Sequence, residues 1–212
     1  MSLPVPMATE YDSHRCTTRV RFDNGTMGEY YMRGGIAWPT LVTGKDDRVT
    51  MQGYAVLVGI NVETDKAVVF SWLDFNTISA VVSQTTMDHK PLGPWLNRQW
   101  STWYALGYYW HDKGESHQQF RRQLHRDDSI MPKQRLSFVL WDDDKAAEAM
   151  TWLAASEKRL IMEEPFARAM TSTPAGEYCP ARHALTCALV GLNKRPWTDP
   201  GPKPFVLEED WI

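Results

Sequence analysis

Two apolar runs of strand length, joined by a short polar turn, constrain the fold of this chain more than any other feature of its sequence. The runs cover residues 52–62 and 67–75, and residues 63–66 connect them. Near-continuous apolar runs of this length are typical of strands that are buried on both faces. Because the connection is so short, we predict that the runs pair antiparallel as a hairpin at the centre of a mixed sheet.

A second hairpin is predicted near the N-terminus. The dipeptide Asn24-Gly25 separates two β-prone runs within residues 17–33, and Asn-Gly is the strongest short-range hairpin signal. Residues 1–16 contain two prolines and show no periodicity. We therefore expect an extended arm that leads into this hairpin.

Downstream of the central hairpin, the sequence predicts helices and strands in alternation. Apolar and aromatic residues recur at spacings of three and four within residues 94–126, which predicts a long helix. The other predicted elements are a strand over residues 136–141, a helix over 145–155, a strand over 159–162, a helix over 163–170 and a helix over 180–192. Pro180 favours the start of the last helix, because proline suits the first turn.

This order of elements predicts an α/β fold of ribonuclease-H-like topology, in which three antiparallel strands precede alternating helices and strands. A short strand over residues 35–39 opens it, and the strand at 136–141 is expected to pair beside that strand. The predicted organisation has three parts: an N-terminal arm and hairpin over residues 1–34, the ribonuclease-H-like domain over 35–192, and an extended, proline-rich tail over 193–212.

Three stretches resemble the nuclease domain of phage large terminases. The opening strands read GGIAWP and GYAVLVGINVETDKAVVFSWLDF, where the family has Gly-Ile-Asp-Pro followed by two strands. The stretch FVLWDDDKAAEAMTWL resembles the strand that carries the family's second acid and the helix after it. The run HALTCALVGL resembles the closing helix, which usually reads Asp-Ala-Leu-Arg-Tyr-Ala-Leu. The resemblance covers residues 35–192 and includes no ATPase motor, because the chain has no Walker A pattern.

The resemblance implies a carboxylate cluster that holds two divalent metal ions for DNA cleavage. Two of its three acid positions are changed, because Ala37 replaces the first aspartate and His183 replaces the aspartate of the closing helix. Asp142 keeps the second acid. We therefore expect a pseudo-nuclease: a non-cleaving, terminase-nuclease-like phage protein that acts as a nucleic-acid-binding or assembly factor and needs no cofactor.

A metal-dependent nuclease is the first alternative. Its candidate catalytic residues are Asp142 and His183, and its candidate metal ligands are Asp142, Asp144, Asp46 and Asp47. Mg²⁺ or Mn²⁺ would be the cofactor, since Mg²⁺ takes oxygen ligands and imidazole suits softer ions such as Mn²⁺. The three acids at 142–144 equally suit the negatively charged start of the helix that follows them.

Basic side chains within the predicted long helix are the candidate contacts to nucleic acid. They are Arg98, Arg121, Arg122 and Arg126. Aromatic residues lie among them, and together cations and aromatic rings can bind phosphates and bases. The same pattern fits a solvated helix face above an aromatic core. The net charge of −3 argues against a non-specific nucleic-acid coat and permits one basic face.

Another alternative needs no nucleic acid. An adaptor or inhibitor would bind another phage or host protein through the aromatic surface and the C-terminal tail, a common recognition format for exposed tryptophan in extended, proline-rich backbone.

Cys179, His183 and Cys187, spaced four apart, permit a zinc site or a thiol nucleophile, and equally a buried helix face. The absence of a secretory leader and of any run of 18 apolar residues, with three cysteines, predicts a cytoplasmic protein without a membrane partner. If the chain is phage-encoded, that compartment is the cytoplasm of the host cell.

Overall fold

A computed structural model describes residues 4–43, 49–74, 108–110, 136–138, 160–174 and 177–193, together with residues 144, 147 and 151. Within this part of the chain, eight strands form one mixed sheet that is accompanied by two helices. The strands are β1 (Pro6–Asp12), β2 (Thr17–Phe22), β3 (Met27–Thr43), β4 (Val49–Asn61), β5 (Ala67–Asp74), β6 (Tyr108–Trp110), β7 (Leu136–Phe138) and β8 (Leu160–Ile161), and the helices are α1 (Glu164–Thr171) and α2 (Pro180–Asn193). The predicted α/β class is confirmed.

The central hairpin forms as predicted, from β4 and β5 paired antiparallel. Leu57 and Val58, which point to opposite faces of β4, are both fully buried. The side chain of Asn61 organises the turn, because its Oδ1 accepts hydrogen bonds from the backbone N–H groups of Glu63 at 3.0 Å and Thr64 at 2.8 Å. The apolar runs are therefore buried on both faces, and a turn that is held by hydrogen bonds to a polar side chain connects them.

Strand β3 is long enough to pair with different strands along one of its sides. Its first part pairs antiparallel with β2, and residues 34–36 pair parallel with β6, while β4 pairs along the other side. The predicted hairpin around Asn24-Gly25 is confirmed, with Gly25 at a φ of 80°. Since β3 runs without interruption through residues 34 and 35, the predicted segment boundary lies inside a strand of the shared sheet.

The predicted N-terminal arm is wrong for residues 6–12, which form β1 and pair antiparallel with β2. Glu10 lies opposite Arg19 in this ladder, a cross-strand pair of opposite charges. Pro6 stands at the first residue of β1, which is a position where a strand tolerates proline. The two prolines within residues 1–16 are thus compatible with an edge strand.

The predicted long helix is wrong at residues 108–110, which form strand β6. This strand pairs parallel with β3 on one side and with β7 on the other. The predicted pairing of 136–141 beside the opening strand is therefore also wrong, because β6 lies between β3 and β7. Three successive aromatic residues favour a strand, and the helix-like spacing of aromatic residues concealed it. The rest of the predicted helix lies outside the described residues.

Six strands of the sheet run in one direction, and β2 and β4 run in the other. The order across the sheet is β7-β6-β3-β4-β5-β8, in which β4 is antiparallel to both of its neighbours. Strands β3, β5, β6, β7 and β8 therefore share a direction, as does β1 beyond β2. We call the side at which β5 ends, level with Ala37 on β3, the carboxyl edge.

Helix α2 packs on the sheet through small residues. An ideal Cβ built on Gly35 would lie 2.0 Å from the carbonyl oxygen of Ala184 and 2.7 Å from the backbone nitrogen of Ala188. Only a residue without a side chain permits so close an approach of helix and strand. Helix α1 adds Phe166, which is fully buried in the same apolar cluster. The predicted helices at 163–170 and 180–192 are confirmed.

We expect Gly35→Ala to lower the free energy of unfolding by about 3 kcal/mol, because the new methyl group would overlap the backbone of α2. The matched control is Gly25→Ala, where no atom lies within 4 Å and the loss comes only from the positive φ, about 1 kcal/mol. Chemical denaturation of both variants measures the difference. Equal effects would contradict the close contact between α2 and β3.

Candidate functional site

The carboxyl edge brings together three neighbouring strands and the start of α2. Ala37 on β3 lies opposite Tyr54 on β4, and Tyr54 lies opposite Asp74 on β5. Cys179, the residue before α2, belongs to the same buried cluster as Ala37. In α/β sheets, ligands usually bind at the carboxyl ends of strands. This edge is therefore where a functional site is expected.

Ala37, the first acid position implied by the resemblance, lies inside the apolar core. Its exposed fraction is 1%, and Val56, Ala181 and Ala184 belong to the same cluster. A carboxylate at this position would be buried among apolar groups, which strongly disfavours its charged form. The alanine thus fits the packing of the described core.

Two hydrogen bonds join aromatic side chains to carboxylates at this edge, and sequence reasoning missed both. The hydroxyl of Tyr54 donates to Oδ2 of Asp74 at 2.9 Å, and Nε1 of Trp72 donates to Oε2 of Glu163 at 3.4 Å. Desolvation, aided by the Asp74 carboxylate, raises the pKa of Tyr54 far above its usual range, so this hydroxyl stays a donor. The rings of Tyr54 and Trp72 both pack near Phe166, with centroid distances of 6.4 and 5.9 Å.

No local sequence signal predicts these two hydrogen bonds. Tyr54 and Trp72 belong to the two runs that are predicted to form buried strands. In sequence, Asp74 is 20 residues from Tyr54, and Glu163 is 91 residues from Trp72. For Tyr54, the predicted pairing of β4 with β5 could have suggested Asp74 once the register was known. For Trp72, only the tertiary position of the α1 start supplies Glu163.

His183 lies beside aromatic and small side chains. It follows Pro180 in the first turn of α2, is half-buried, and donates its backbone N–H to the carbonyl oxygen of Cys179 at 2.9 Å. The centroid of its ring is 5.3 Å from that of Tyr178. Asp144 is exposed in helical backbone. Within the described ranges, no group of three or more His, Cys, Asp or Glu side chains could hold a metal ion.

The remaining predicted site residues lie outside the described residues. They are Asp46, Asp47, Arg98, Arg121, Arg122, Arg126 and Asp142. Because β6 separates β7 from β3, and strands lie about 4.8 Å apart, β7 is about 10 Å from the strand that carries Ala37. Residues 194–212 of the predicted tail also lie outside.

The cysteines of α2 and its approach are buried thiols. Sγ of Cys179 donates to the carbonyl oxygen of Ala169 at 3.5 Å. Burial raises the pKa of Cys187 to about 12, and this side chain is 2% exposed. Since the thiolate is both the nucleophile and the metal ligand, these surroundings disfavour both the thiol nucleophile and the zinc site that the spacing permits.

Comparisons with known proteins give no relative. No protein-family model matches the chain, and no curated protein and no solved structure matches it.

In the portion of the chain that the structure describes, no helix is both long and apolar enough to cross a membrane.

We expect the stability of the protein to fall as the pH rises from about 9 towards 12, in part because of Cys187. The unfolded chain ionises this thiol near its ordinary pKa of 9.0, whereas the folded chain keeps it protonated up to about 12. One such group lowers the free energy of unfolding by up to about 1.4 kcal/mol per pH unit. Denaturation at pH 8, 10 and 11 measures the slope, which Cys187→Ala should flatten. Parallel profiles for the two proteins would refute this assignment.

Proposed function

We propose that this chain is a non-cleaving protein of ribonuclease-H-like, terminase-nuclease-like architecture that acts as a nucleic-acid-binding or assembly factor. In this proposal it is phage-encoded and works in the host cytoplasm with DNA as its partner. It requires no metal or other cofactor.

The order and direction of the strands support the fold part of this proposal. Read from one side, β5-β4-β3-β6-β7 contains three antiparallel strands in sequence order and then two strands parallel to β3. This is the order expected when a three-stranded meander is followed by strands that return beside its first strand. Helix α2 lies against β3 and β4 at the end of that sequence, as the closing helix of such a domain would.

The burial of Ala37 is the observation that carries the non-cleaving part. A two-metal nuclease needs carboxylates that converge on open coordination sites. The first of these positions is an alanine that is 1% exposed beneath the residues of α2. At the third position, the ring of His183 lies against that of Tyr178. The described part of the site thus supports loss of the cluster, and Asp142 alone retains an acid.

Negative charge at the carboxyl edge disfavours phosphate contacts there. Glu163 and Glu177 are exposed near the starts of the two helices, Glu164 is exposed and paired with Arg168, and Asp74 is half-buried. These carboxylates repel a phosphate backbone. We therefore assign the phosphate contacts to the basic residues predicted from the sequence, which are Arg98, Arg121, Arg122 and Arg126.

Purified protein is expected to leave duplex and single-stranded DNA intact in Mg²⁺, because two of the three implied carboxylate positions are changed. Any cleavage in Mn²⁺ should be lost in Asp142→Ala, since that residue is the one retained acid. Gel assays with end-labelled DNA measure both. Robust cutting in Mg²⁺ that Asp142→Ala abolishes would instead establish the metal-dependent nuclease, with Asp46, Asp47 or Asp144 as its further ligands.

A designed substitution serves as the control for this reading of Ala37. Ala37→Asp restores the acid of the family pattern, yet it is expected to lower the free energy of unfolding by about 3 kcal/mol and to give no cleavage, because the carboxylate would be buried. A stable Ala37→Asp variant that cleaves DNA in Mg²⁺ would show that the site is open.

DNA binding is expected to persist in EDTA and to weaken as salt increases. Each phosphate contact contributes a slope of about −0.9 in a plot of log K against log salt on duplex DNA. Arg121→Ala and Arg122→Ala should each reduce that slope by about one. The matched control is Arg168→Ala, which removes an exposed cation that is paired with Glu164 on α1. Binding that is absent at all salt concentrations would leave the protein-binding adaptor or inhibitor as the surviving function.

A further inference from the structure

Tyr178 is an exposed aromatic side chain on a fixed piece of backbone. It is 57% exposed, and among the side chains that the structure describes no other aromatic residue is classed as exposed. A large apolar side chain left in solvent is informative when its position is ordered. The surroundings of Tyr178 therefore show whether the ring is held in one position, as a binding contact requires.

The backbone on both sides of Tyr178 is anchored. Nη2 of Arg182 donates to the carbonyl oxygens of Thr173, Pro174 and Glu177 at 3.3, 3.0 and 3.2 Å. On the other side, Cys179 is 4% exposed and its Sγ donates to the carbonyl oxygen of Ala169. The ring of Tyr178 is thus held between two fixed neighbours, and little conformational entropy remains to be lost when something binds to it.

His183 supports the ring of Tyr178 from one side. The two ring centroids are 5.3 Å apart and the planes are inclined by 56°. A tyrosine hydroxyl has an ordinary pKa of about 10, so this side chain is uncharged at neutral pH. The result is a neutral, pre-positioned aromatic surface at the start of α2.

We propose that Tyr178, supported by His183, stacks on an unpaired nucleobase, and that the protein consequently favours single-stranded over duplex nucleic acid at this point. This inference rests on the proposed function and extends it to the class of nucleic acid. Stacking suits this position because a base has a π-face and carries no charge, whereas the exposed carboxylate of Glu177, the residue before Tyr178, disfavours a phosphate. A duplex keeps its bases stacked on each other and offers no free face.

Stacking on Tyr178 does not depend on charge, so its contribution to binding can be measured separately from that of the phosphate contacts. Fluorescence anisotropy with a labelled single strand and the matching duplex gives affinities for wild-type protein and variants. Tyr178→Ala should weaken single-strand binding about tenfold while leaving the duplex affinity and the salt slope unchanged. Tyr178→Phe should retain single-strand affinity within about twofold, because the stacking ring is kept. An abasic spacer in the single strand should reproduce the loss in wild-type protein.

Met27→Ala is the matched control, since Met27 is a 69% exposed apolar side chain at the start of β3, and it should leave both affinities unchanged. Thermal unfolding of each variant checks that the fold is retained. If wild-type protein binds DNA and Tyr178→Ala binds the single strand equally well, this inference is overturned, the proposed function stands, and the ring becomes a contact for a protein partner. If wild-type protein binds no nucleic acid, the proposed function fails together with it.

Discussion

The contact between α2 and β3 at Gly35 determines how the rest of the described structure is arranged. Backbone atoms of Ala184 and Ala188 come so close to this residue that a Cβ would overlap them. Such proximity removes the space between helix and sheet that larger side chains would fill, so the facing residues of α2 are small. It also fixes the helix along the central strand, on which Arg33 lies two residues before Gly35 and Ala37 two residues after it.

The same contact places Ala37, the first acid position implied by the resemblance, inside the apolar core. A metal cluster needs several oxygen ligands around solvent-accessible ions. At Ala37 the helix and the sheet form a buried apolar cluster, in which Val56 and Val58 are fully buried. The carboxylates of Asp74 and Glu163 lie at this edge, and each accepts a hydrogen bond from an aromatic side chain. Carboxylates occupied in this way support packing of the edge.

Local sequence signals predicted the elements whose determinants are local. The central hairpin follows from two apolar runs and a four-residue turn, the first hairpin from Asn24-Gly25, and the last helix from Pro180 and its apolar run. Strand β6 escaped because three residues are too few to show a period, and its aromatic residues matched a helical spacing. Strand β1 escaped because its pairing partner, rather than its own sequence, stabilises it. The contacts at the carboxyl edge depend on register and on α1, which lie beyond any local pattern.

The direction of α2 connects the two unusual polar features that flank its contact with β3. The helix begins near Ala37, through Cys179, and passes Gly35 at Ala184 and Ala188, so it runs antiparallel to β3 and its last turn lies towards Arg33. Arg33 is 6% exposed, its Nη1 donates to the carbonyl oxygen of Met32 at 2.8 Å, and its Nε has no hydrogen-bond partner among the residues that the structure describes. A buried guanidinium with an unsatisfied nitrogen is unfavourable by itself. The C-terminal end of a helix carries partial negative charge and carbonyl groups without intrahelical partners, which favours a cation on the side of the contact towards which α2 runs. The antiparallel course of α2 thus directs its C-terminal end to the side of Gly35 on which Arg33 lies, and it brings the first turn, with Tyr178 beside it, to the edge where β5 ends.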